Sequence, residues 1–532
     1  MYNQPVFRYP TKNEGPRVKA LFIFILFSFF SITVFAQTAP AKDTIVPEKG
    51  NPVQQLKDIK ADKKASLKDS ANGQPVKSPL IDTTIQNKYG DRLNDDSAFN
   101  KKSSAWRPAL QVLGINAFLT AFDRYVLKAD YSHIGFETWN NNIKQGWVWD
   151  TDRFGVNFIG HPYSGSLYFN AARSNGYNFW QSFPYAVGGS LMWEYFGENT
   201  RPSYNDIINT PISGTFFGEI LYRLSSNILD DRTRGNERVI REIFAGLIDP
   251  IRGLNRLFQG KTGRLTTKEV YQKEPLNITI IGGTHKINQD TKAVFGTGPT
   301  NPMISVQLDY GNPFEDRRRK PFDLFRLRAE FSYGVGRKIL DNVTGYGILF
   351  GKNSQAGKLS MLVGGFQYYD YWDNKSFELG AIAFGAGAFF KLPLSKNSLF
   401  YTNVHAAVIP LAGNSTRFGP DTSQFRDYNY GGGLEAKVES TITLGTDVTL
   451  SFLYHYYMIH TYVGASGNNF IGILEPKISV RILKNMSIGF EHYIYADNRQ
   501  LVGFDPIHSS RTEQKVFLSL FLEDPQRKGR YN

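Results

Sequence analysis

The sequence contains no cysteine among its 532 residues. This absence excludes disulfide bonds, thiolate metal sites and a lipid-modified cysteine at an export cleavage point. Beyond Ala36, no segment approaches the ~20 apolar residues that a membrane-crossing helix needs. The sequence also lacks a G-x-S-x-G elbow, an H-E-x-x-H zinc motif, a phosphate loop, a dinucleotide fingerprint and an EF-hand. We therefore predict no cofactor and no bound metal.

The one long apolar run lies at the N-terminus. Arg17 and Lys19 precede the segment ALFIFILFSFFSITVF, and Ala36 follows it. Basic residues, a short apolar segment and a small residue, in that order, are typical of a secretory signal peptide. We predict a signal peptide over residues 1–36, cleaved before Gln37, rather than a membrane anchor.

A polar segment follows over residues 37–104, with stretches such as KADKKASLKDSANGQPVKS. Because this composition offers almost nothing to bury, we predict a disordered periplasmic tail that acts as a tether. The chain carries a net charge of +13. The excess is scattered and the chain is exported, so we interpret the charge as attraction to an anionic lipid or glycolipid surface and expect no nucleic-acid partner.

Residues 105–265 have helical spacing, and we predict a small α-helical domain there. Pro162 suits the first turn of a helix that starts at His161, and Ser203 can cap another, with Asp206 three residues on. Gly214 and Gly218 share one face of the latter helix, where they would let a second helix approach closely. Helices are predicted over 107–127, 161–173, 183–195, 203–229 and 237–249.

From about residue 275 the apolar period changes to two. In FRLRAEFS, Phe325 and Leu327 lie on one face, and Arg326, Arg328 and Glu330 on the other. Twelve segments have this pattern: 276–284, 303–311, 322–335, 343–352, 357–371, 376–391, 398–411, 428–444, 447–462, 469–484, 486–496 and 513–523.

These twelve segments favour a membrane β-barrel of about 12 antiparallel strands over a soluble β fold. Most are long enough to cross a bilayer as a tilted strand, which takes ~9–11 residues. Short links alternate with long polar ones, including ADNRQLVGFDPIHSSRTEQ, and aromatic clusters such as Tyr368, Tyr369, Tyr371 and Trp372 suit interfacial girdles. Since an open sheet edge would leave backbone groups unpaired in lipid, we expect a closed barrel over residues 276–523.

The segments GHPYSGSLYFNAARSNGYNFWQSF and WEYFGENTRPSYNDIINTPISGTFFGE, followed by LIDPIRGLNRLFQG, form an ordered set of polar motifs. In this set the chain resembles the family catalogued as domain of unknown function 3943. The resemblance covers roughly residues 105–265. It implies an exported outer-membrane protein of a Gram-negative bacterium, and it implies no activity.

Two chemical interpretations of the helical domain remain open. His161 could act as a base on Ser164 or on water, with Glu194 or Glu198 orienting it. His161, Glu194 and Glu198 could instead be ligands, because the two glutamates are four residues apart and share a helix face.

A structural interpretation is favoured over both. Arg173, Asp206, Glu219 and Arg223 are candidates for ion pairs, with Glu219 and Arg223 four residues apart on one helix. The domain would plug the barrel or cap its periplasmic mouth. Its acids would then meet lumen bases such as Arg326 and Lys437, since unpaired buried charges are costly.

Two functions follow from these interpretations. The first is an outer-membrane β-barrel with a helical domain packed in or under it, serving envelope structure or solute passage. The alternative is an outer-membrane enzyme that modifies lipid or lipopolysaccharide through His161 and nearby acids. Outer-membrane lipids, lipopolysaccharide and the barrel-assembly machinery are the expected partners.

Overall fold

The computed structural model describes residues 101–523, with gaps at 268, 290–292, 335–338, 375 and 416–427. The predicted signal peptide and nearly all of the predicted tail lie outside the described residues. Within the described part of the chain, no helix is both long and apolar enough to cross a bilayer.

A helical domain comes first. Its α-helices are α1 (Trp106–Phe122), α2 (Phe136–Gln145), α3 (His161–Arg173), α4 (Phe179–Phe196), α5 (Tyr204–Ile228), α6 (Gly235–Ile248) and α7 (Pro250–Phe258). A π-helical turn, Val156–Gly160, leads directly into α3. Helix α4 begins earlier than predicted because Asn178 caps it: its side chain accepts a hydrogen bond from the Gln181 amide, and Gln181 reciprocates.

The remaining described chain forms strands that pair in sequence order and close on themselves. They are β1 (Leu276–Ile287), β2 (Thr300–Tyr310), β3 (Phe325–Ser332), β4 (Leu340–Ala356), β5 (Leu359–Asp373), β6 (Glu378–Ser395), β7 (Ser398–Ser415), β8 (Tyr428–Leu444), β9 (Val448–Val463), β10 (Gly467–Leu483), β11 (Met486–Leu501) and β12 (Ile507–Leu522). β1 pairs antiparallel with both β2 and β12, which closes the barrel. The predicted 12-stranded barrel is confirmed.

The two ends of the barrel differ. We call the end with the short links 357–358, 396–397 and 484–485 the turn end, and the opposite end the loop end. The predicted long loop between the last two strands is wrong. β11 and β12 continue through most of it, with Ala496 opposite Ser510 and Arg499 opposite Ile507, so only residues 502–506 connect them.

Side chains of the strands fill the lumen. Arg328 on β3 reaches Glu475 on β10 at 3.1 Å, and Lys437 on β8 reaches Asp370 on β5. These strands are not neighbours in the sheet, so the contacts cross the barrel and identify the inward face. An aromatic layer also lies in the lumen: Tyr346, Phe366, Tyr368, Phe389 and His405.

The helical domain packs against the outer wall of the barrel. Tyr369 alternates with the inward-facing Tyr368 and Asp370, and its hydroxyl donates to the Phe158 carbonyl. Helix α5 follows the wall: the Ile212 carbonyl accepts from Gln367 Nε2 at 2.9 Å, and Arg223 binds Asp323 at 3.0 Å near the turn end. Most of the 25 residues of α5 are buried between the wall and the other helices.

Two glycines let the domain approach the wall. A Cβ atom added to Gly380 on β6 would lie 2.3 Å from the Phe158 ring, and one added to Gly413 on β7 would lie 2.4 Å from it. Tyr371 and Tyr428 pack around the same region. The wall therefore has a specific socket for Phe158.

The expectation that the helical domain plugs or caps the barrel is wrong. The lumen is already occupied by strand side chains, and lumen bases such as Lys437 pair with strand acids rather than with helix acids. The prediction that the aromatic cluster of residues 368–372 belongs to an interfacial girdle is also wrong. Tyr368 and Trp372 face the lumen, and the helical domain covers Tyr369 and Tyr371.

Candidate functional site

A polar cluster lies where the helical domain meets the loop end of the barrel. Residues 148 and 203 form an isolated parallel bridge, in which the Val148 amide donates to the Pro202 carbonyl and the Tyr204 amide to the Val148 carbonyl, both at 2.8 Å. This pairing places the segment after α2 alongside the first turn of α5. It brings Asp150 close to Asp206, although the two are far apart in sequence.

Asp150 is held by three elements. Its Oδ1 accepts hydrogen bonds from Asn157 Nδ2 at 3.0 Å and from the Tyr430 hydroxyl of β8 at 2.6 Å. Its backbone amide donates to Asn205 Oδ1 at 3.1 Å. Burial opposes ionisation of this group, but hydrogen bonds from Asp206 and Tyr430 and the charge of His161 hold the pKa of Asp150 below its usual range. The barrel wall thus helps to position the site.

His161 and Asp206 face each other at the centre of the cluster. His161 Nε2 lies 3.5 Å from Asp206 Oδ1 and 3.9 Å from Asp152 Oδ2. On the other side of the ring, Nδ1 lies 3.3 Å from Thr210 Oγ1, on the second turn of α5. The Asp206 side chain is buried, whereas half of Asp152 is exposed. The cluster is therefore buried at one edge and open at the other.

Glu194 and Ser203 close the buried edge. Glu194 Oε2 accepts from the Ser203 amide at 2.6 Å and from the Ser203 hydroxyl at 3.1 Å, and that hydroxyl also contacts Asp206 Oδ2. The predicted cap is wrong in detail: α5 does start after Ser203, but the Ser203 side chain makes no capping hydrogen bond to the helix backbone. Its hydroxyl joins two carboxylates instead.

The arrangement can hold a proton or a cation. One ligand atom from each of Asp150, His161 and Asp206 lies within 4.8 Å of the others. Three acids, Asp150, Glu194 and Asp206, thus surround a single histidine. Such crowding of like charges favours either a shared proton or a bound positive ion.

The predicted catalytic residues divide into two groups. Glu194 lies in the cluster, and Glu198 lies beside it, where its backbone carbonyl accepts from Asn142 Nδ2 at 2.9 Å. Ser164 lies one turn after His161 on α3, and no hydrogen bond between these two described residues joins them. Sequence reasoning missed Asp150 entirely. It lies in the non-periodic stretch WVWDTD, where only tertiary contacts reveal its role.

The ion-pair candidates other than Asp206 lie toward the turn end. Glu219 accepts from Arg173 Nε and Arg223 Nε, both at 2.8 Å, and Arg223 also pairs with Asp323. These groups are buried and mutually paired. They connect α3, α5 and the segment that leads into β3, so they stabilise the domain's attachment rather than form part of the cluster around His161.

Comparisons with known proteins give weak likenesses to solved structures and a family match for one segment. No curated protein matches the chain. The outer membrane phospholipase A from Escherichia coli is 12% identical with a TM-score of 0.23, over 47% of this chain and 92% of that one. An outer membrane channel from Pseudomonas putida F1 is 9% identical with a TM-score of 0.26, over 47% and 96%. The channel DcaP of Acinetobacter baumannii is 7% identical with a TM-score of 0.23, over 46% and 96%.

Likenesses this weak carry no argument about function. A family model described as Domain of unknown function (DUF3943) matches residues 146–251, the part of the chain that contains Asp150, His161, Glu194 and Asp206. Residues 146–251 therefore match the domain of unknown function that the sequence motifs indicate, and they precede a closed 12-stranded antiparallel β-barrel.

Proposed function

We propose that this protein resides in the outer membrane, that its closed barrel serves as an anchor, and that its helical domain lies in the bilayer beside the barrel and carries the functional site. The observation that carries the proposal is the docking of the helices on the outer wall. Outward-facing residues of a membrane barrel contact hydrocarbon. A domain that covers them lies at the same depth.

The polarity of α6 and α7 supports a lipid environment. On α6, Ile240 and Ile243 are 51% and 56% exposed, whereas Arg238 is 7% exposed and pairs with Asp231 at 2.9 Å. On α7, Leu257 is 60% exposed and Arg256 is 4% exposed. A helix on a water-exposed surface has the opposite arrangement. Charges turned inward and apolar side chains turned outward suit a hydrocarbon solvent.

The helical domain and the barrel both expose large apolar side chains. Large side chains are exposed on the free wall formed by β8 to β12, including Leu434, Phe452, Met458, Ile478 and Val516. Leu110, Leu113 and Phe118 are exposed on α1 as well. A single apolar belt around the barrel and the helices together would match the hydrocarbon core of the bilayer. No helix would then need to span the membrane alone.

The packed lumen supports an anchor rather than an open pore. Rings and ion pairs from strands β3 to β12 occupy the interior at several levels. A channel needs a continuous polar path, as in the larger water-filled porins. Solute passage through this barrel would first require these side chains to move apart.

The orientation of the barrel assigns compartments to its two ends. Outer-membrane barrels place short turns in the periplasm and long loops outside. The N-terminal tail would therefore lie in the periplasm, and the cluster around His161 near the outer leaflet, beside lipopolysaccharide. Insertion would depend on the barrel-assembly machinery.

A lipid-modifying enzyme is the second candidate. The observation that favours it is the open edge of the cluster, where His161 and the half-exposed Asp152 reach the surface of the domain. A lipid head group could approach this edge from the bilayer. The test replaces His161→Ala and Glu194→Gln in cells and compares envelope lipids by mass spectrometry, with the exposed His133→Ala as control. Unchanged lipids in correctly assembled variants would argue against the enzyme.

Single-cysteine labelling tests the lipid-immersed domain, because the chain has no cysteine of its own. Fluorophores at Leu113→Cys on α1 and Ile243→Cys on α6 are placed in vesicles of lipids brominated on the acyl chains. We expect quenching comparable to that at Leu434→Cys on the free barrel wall. Thr446→Cys, in the exposed turn after β8, is the water-exposed control. Labels on α1 and α6 that behave like the one at residue 446 would refute the proposal.

A further inference from the structure

We infer that Asp150, His161 and Asp206 form a binding site for a divalent transition-metal ion, Zn²⁺ or Mn²⁺. The sequence predicts no bound metal, and the metal interpretation that it leaves open uses His161 with Glu194 and Glu198 rather than with Asp150 and Asp206. The inference deepens the proposed function by identifying what the cluster binds. It does not depend on whether the helices lie in lipid.

The three ligand residues converge from separate parts of the chain. Asp150 comes from the segment before α3, His161 from the first residue of α3, and Asp206 from the first turn of α5. Their ligand atoms nevertheless lie within 4.8 Å of one another. Two carboxylates and one imidazole are a donor set that suits Zn²⁺ and Mn²⁺, and three protein ligands leave a coordination position open, as in catalytic zinc sites.

Each ligand side chain is held in a fixed orientation. Metal-binding imidazoles and carboxylates are usually held by a hydrogen bond on the atom that does not bind the metal. Thr210 Oγ1 shares a hydrogen bond with His161 Nδ1, so Nε2 remains for a metal. Ser203 contacts Asp206 Oδ2, and Asn157 and Tyr430 occupy Asp150 Oδ1. Every ligand side chain is therefore held by a neighbour before any ion arrives.

One carboxylate oxygen of the cluster lacks a hydrogen-bond donor within the described part of the chain. Asp206 is 2% exposed, and its Oδ1, which faces His161 Nε2, accepts no hydrogen bond in the described structure. Among the described residues, no lysine or arginine forms an ion pair with Asp206 or Glu194. In this part of the described chain, His161, at 3.5 Å from Asp206, is the one cationic side chain beside these acids, and buried carboxylates that outnumber their cationic partners are costly. A bound cation at this point would contact Asp206 Oδ1 and balance the carboxylates that surround the single histidine.

The open edge gives the ion access. His161 retains 15% side-chain exposure and Asp152 retains 53%, so a metal and an exogenous ligand can enter from the surface of the domain. Asp152 Oδ2, at 3.9 Å from His161 Nε2, lies close enough to contribute through a water molecule. A metal with one open position could activate that water or bind a phosphate group of a lipid.

The test uses the full-length protein in detergent, freed of metal by a chelator and titrated calorimetrically with ZnCl₂ and MnCl₂. We expect one site per chain in the wild type. Binding should weaken at least tenfold in His161→Ala and in Asp206→Asn, which keeps the shape of the side chain. His133→Ala, an exposed histidine of the same domain, should bind like the wild type.

Two further readouts separate ligand loss from misfolding. Co²⁺ added to the wild type should give visible absorption bands of a nitrogen- and oxygen-ligated ion, and the bands should vanish in His161→Ala. Zn²⁺ should raise the unfolding temperature of the wild type and of His133→Ala, since a ligand that binds only the folded state stabilises it. A wild type that takes up no metal, with Asp150 and Asp206 sharing a proton instead, would overturn the inference. So would unchanged binding in folded Asp206→Asn.

Discussion

At the scale of single residues, Phe158 attaches the helical domain to the barrel. Its ring is fully buried against Gly380 and Gly413, and its carbonyl accepts from Tyr369. We expect Phe158→Ala to destabilise the docked domain by about 3 kcal/mol, the usual cost of removing a buried phenyl ring. Chemical unfolding followed by tryptophan fluorescence measures it, since Trp149 packs on the wall at Tyr430. Phe258→Ala is the control, because the Phe258 ring is 80% exposed. An equal loss of stability in that variant would contradict the role of the Phe158 socket.

Sequence alternation predicted which strand residues face inward, and Arg328 and Lys437 do so. It could not predict what covers the outer face. Gly380 and Gly413 look like ordinary small strand residues, because their role depends on a ring from a distant helix. Asp150 was missed for the same reason: its partners Tyr430 and Asp206 become neighbours only when the barrel and helices pack together.

At the scale of elements, the crossing of α3 and α5 depends on Gly165 and Gly214. A Cβ atom on Gly165 would lie 1.9 Å from the Thr210 carbonyl oxygen, and one on Gly214 would lie 2.4 Å from the Gly165 backbone. We expect Gly165→Ala to lower the stability of the domain by about 1–3 kcal/mol through overpacking. Gly188→Ala on α4 has nothing within 4 Å and should stabilise its helix by up to about 1 kcal/mol. Thermal unfolding followed by circular dichroism should therefore shift in opposite directions, and equal shifts would reject the close crossing.

The boundaries of α3 and α5 and the strand number could be predicted because they depend on local periodicity and on residues such as Pro162, whereas α2 and α7 were not predicted. The close approach predicted for Gly214 is also confirmed. The orientation of α6 could not be predicted, since the sequence alone does not show which side of the helix meets the rest of the domain. In the structure, the buried side carries Arg238, and Ile243 faces outward. The same pattern of apolar residues suits a helix that faces water and a helix that faces lipid. Only the surroundings of the helix decide which of its sides is buried.

At the scale of the whole molecule, the position of the helical domain decides what could open the barrel. A plug inside the lumen would open it by moving away. A domain on the outer wall cannot, because the aromatic layer around Tyr346, Phe366 and Tyr368 and the pair Lys437–Asp370 would remain. The pore-closing element is therefore the inner face of the strands themselves.

Conductance measured across a planar bilayer distinguishes closure of the barrel by the helical domain from closure by the strand side chains. We expect no steady conductance from the wild type, and none from Phe158→Ala, in which the helices are loosened. The triple variant Tyr346→Ala, Phe366→Ala, Tyr368→Ala removes rings from the lumen and should conduct small ions, because water can then enter a polar interior lined by charged groups. Conductance that appears in Phe158→Ala but not in the triple variant would mean that the helices, and not the strand side chains, close the barrel.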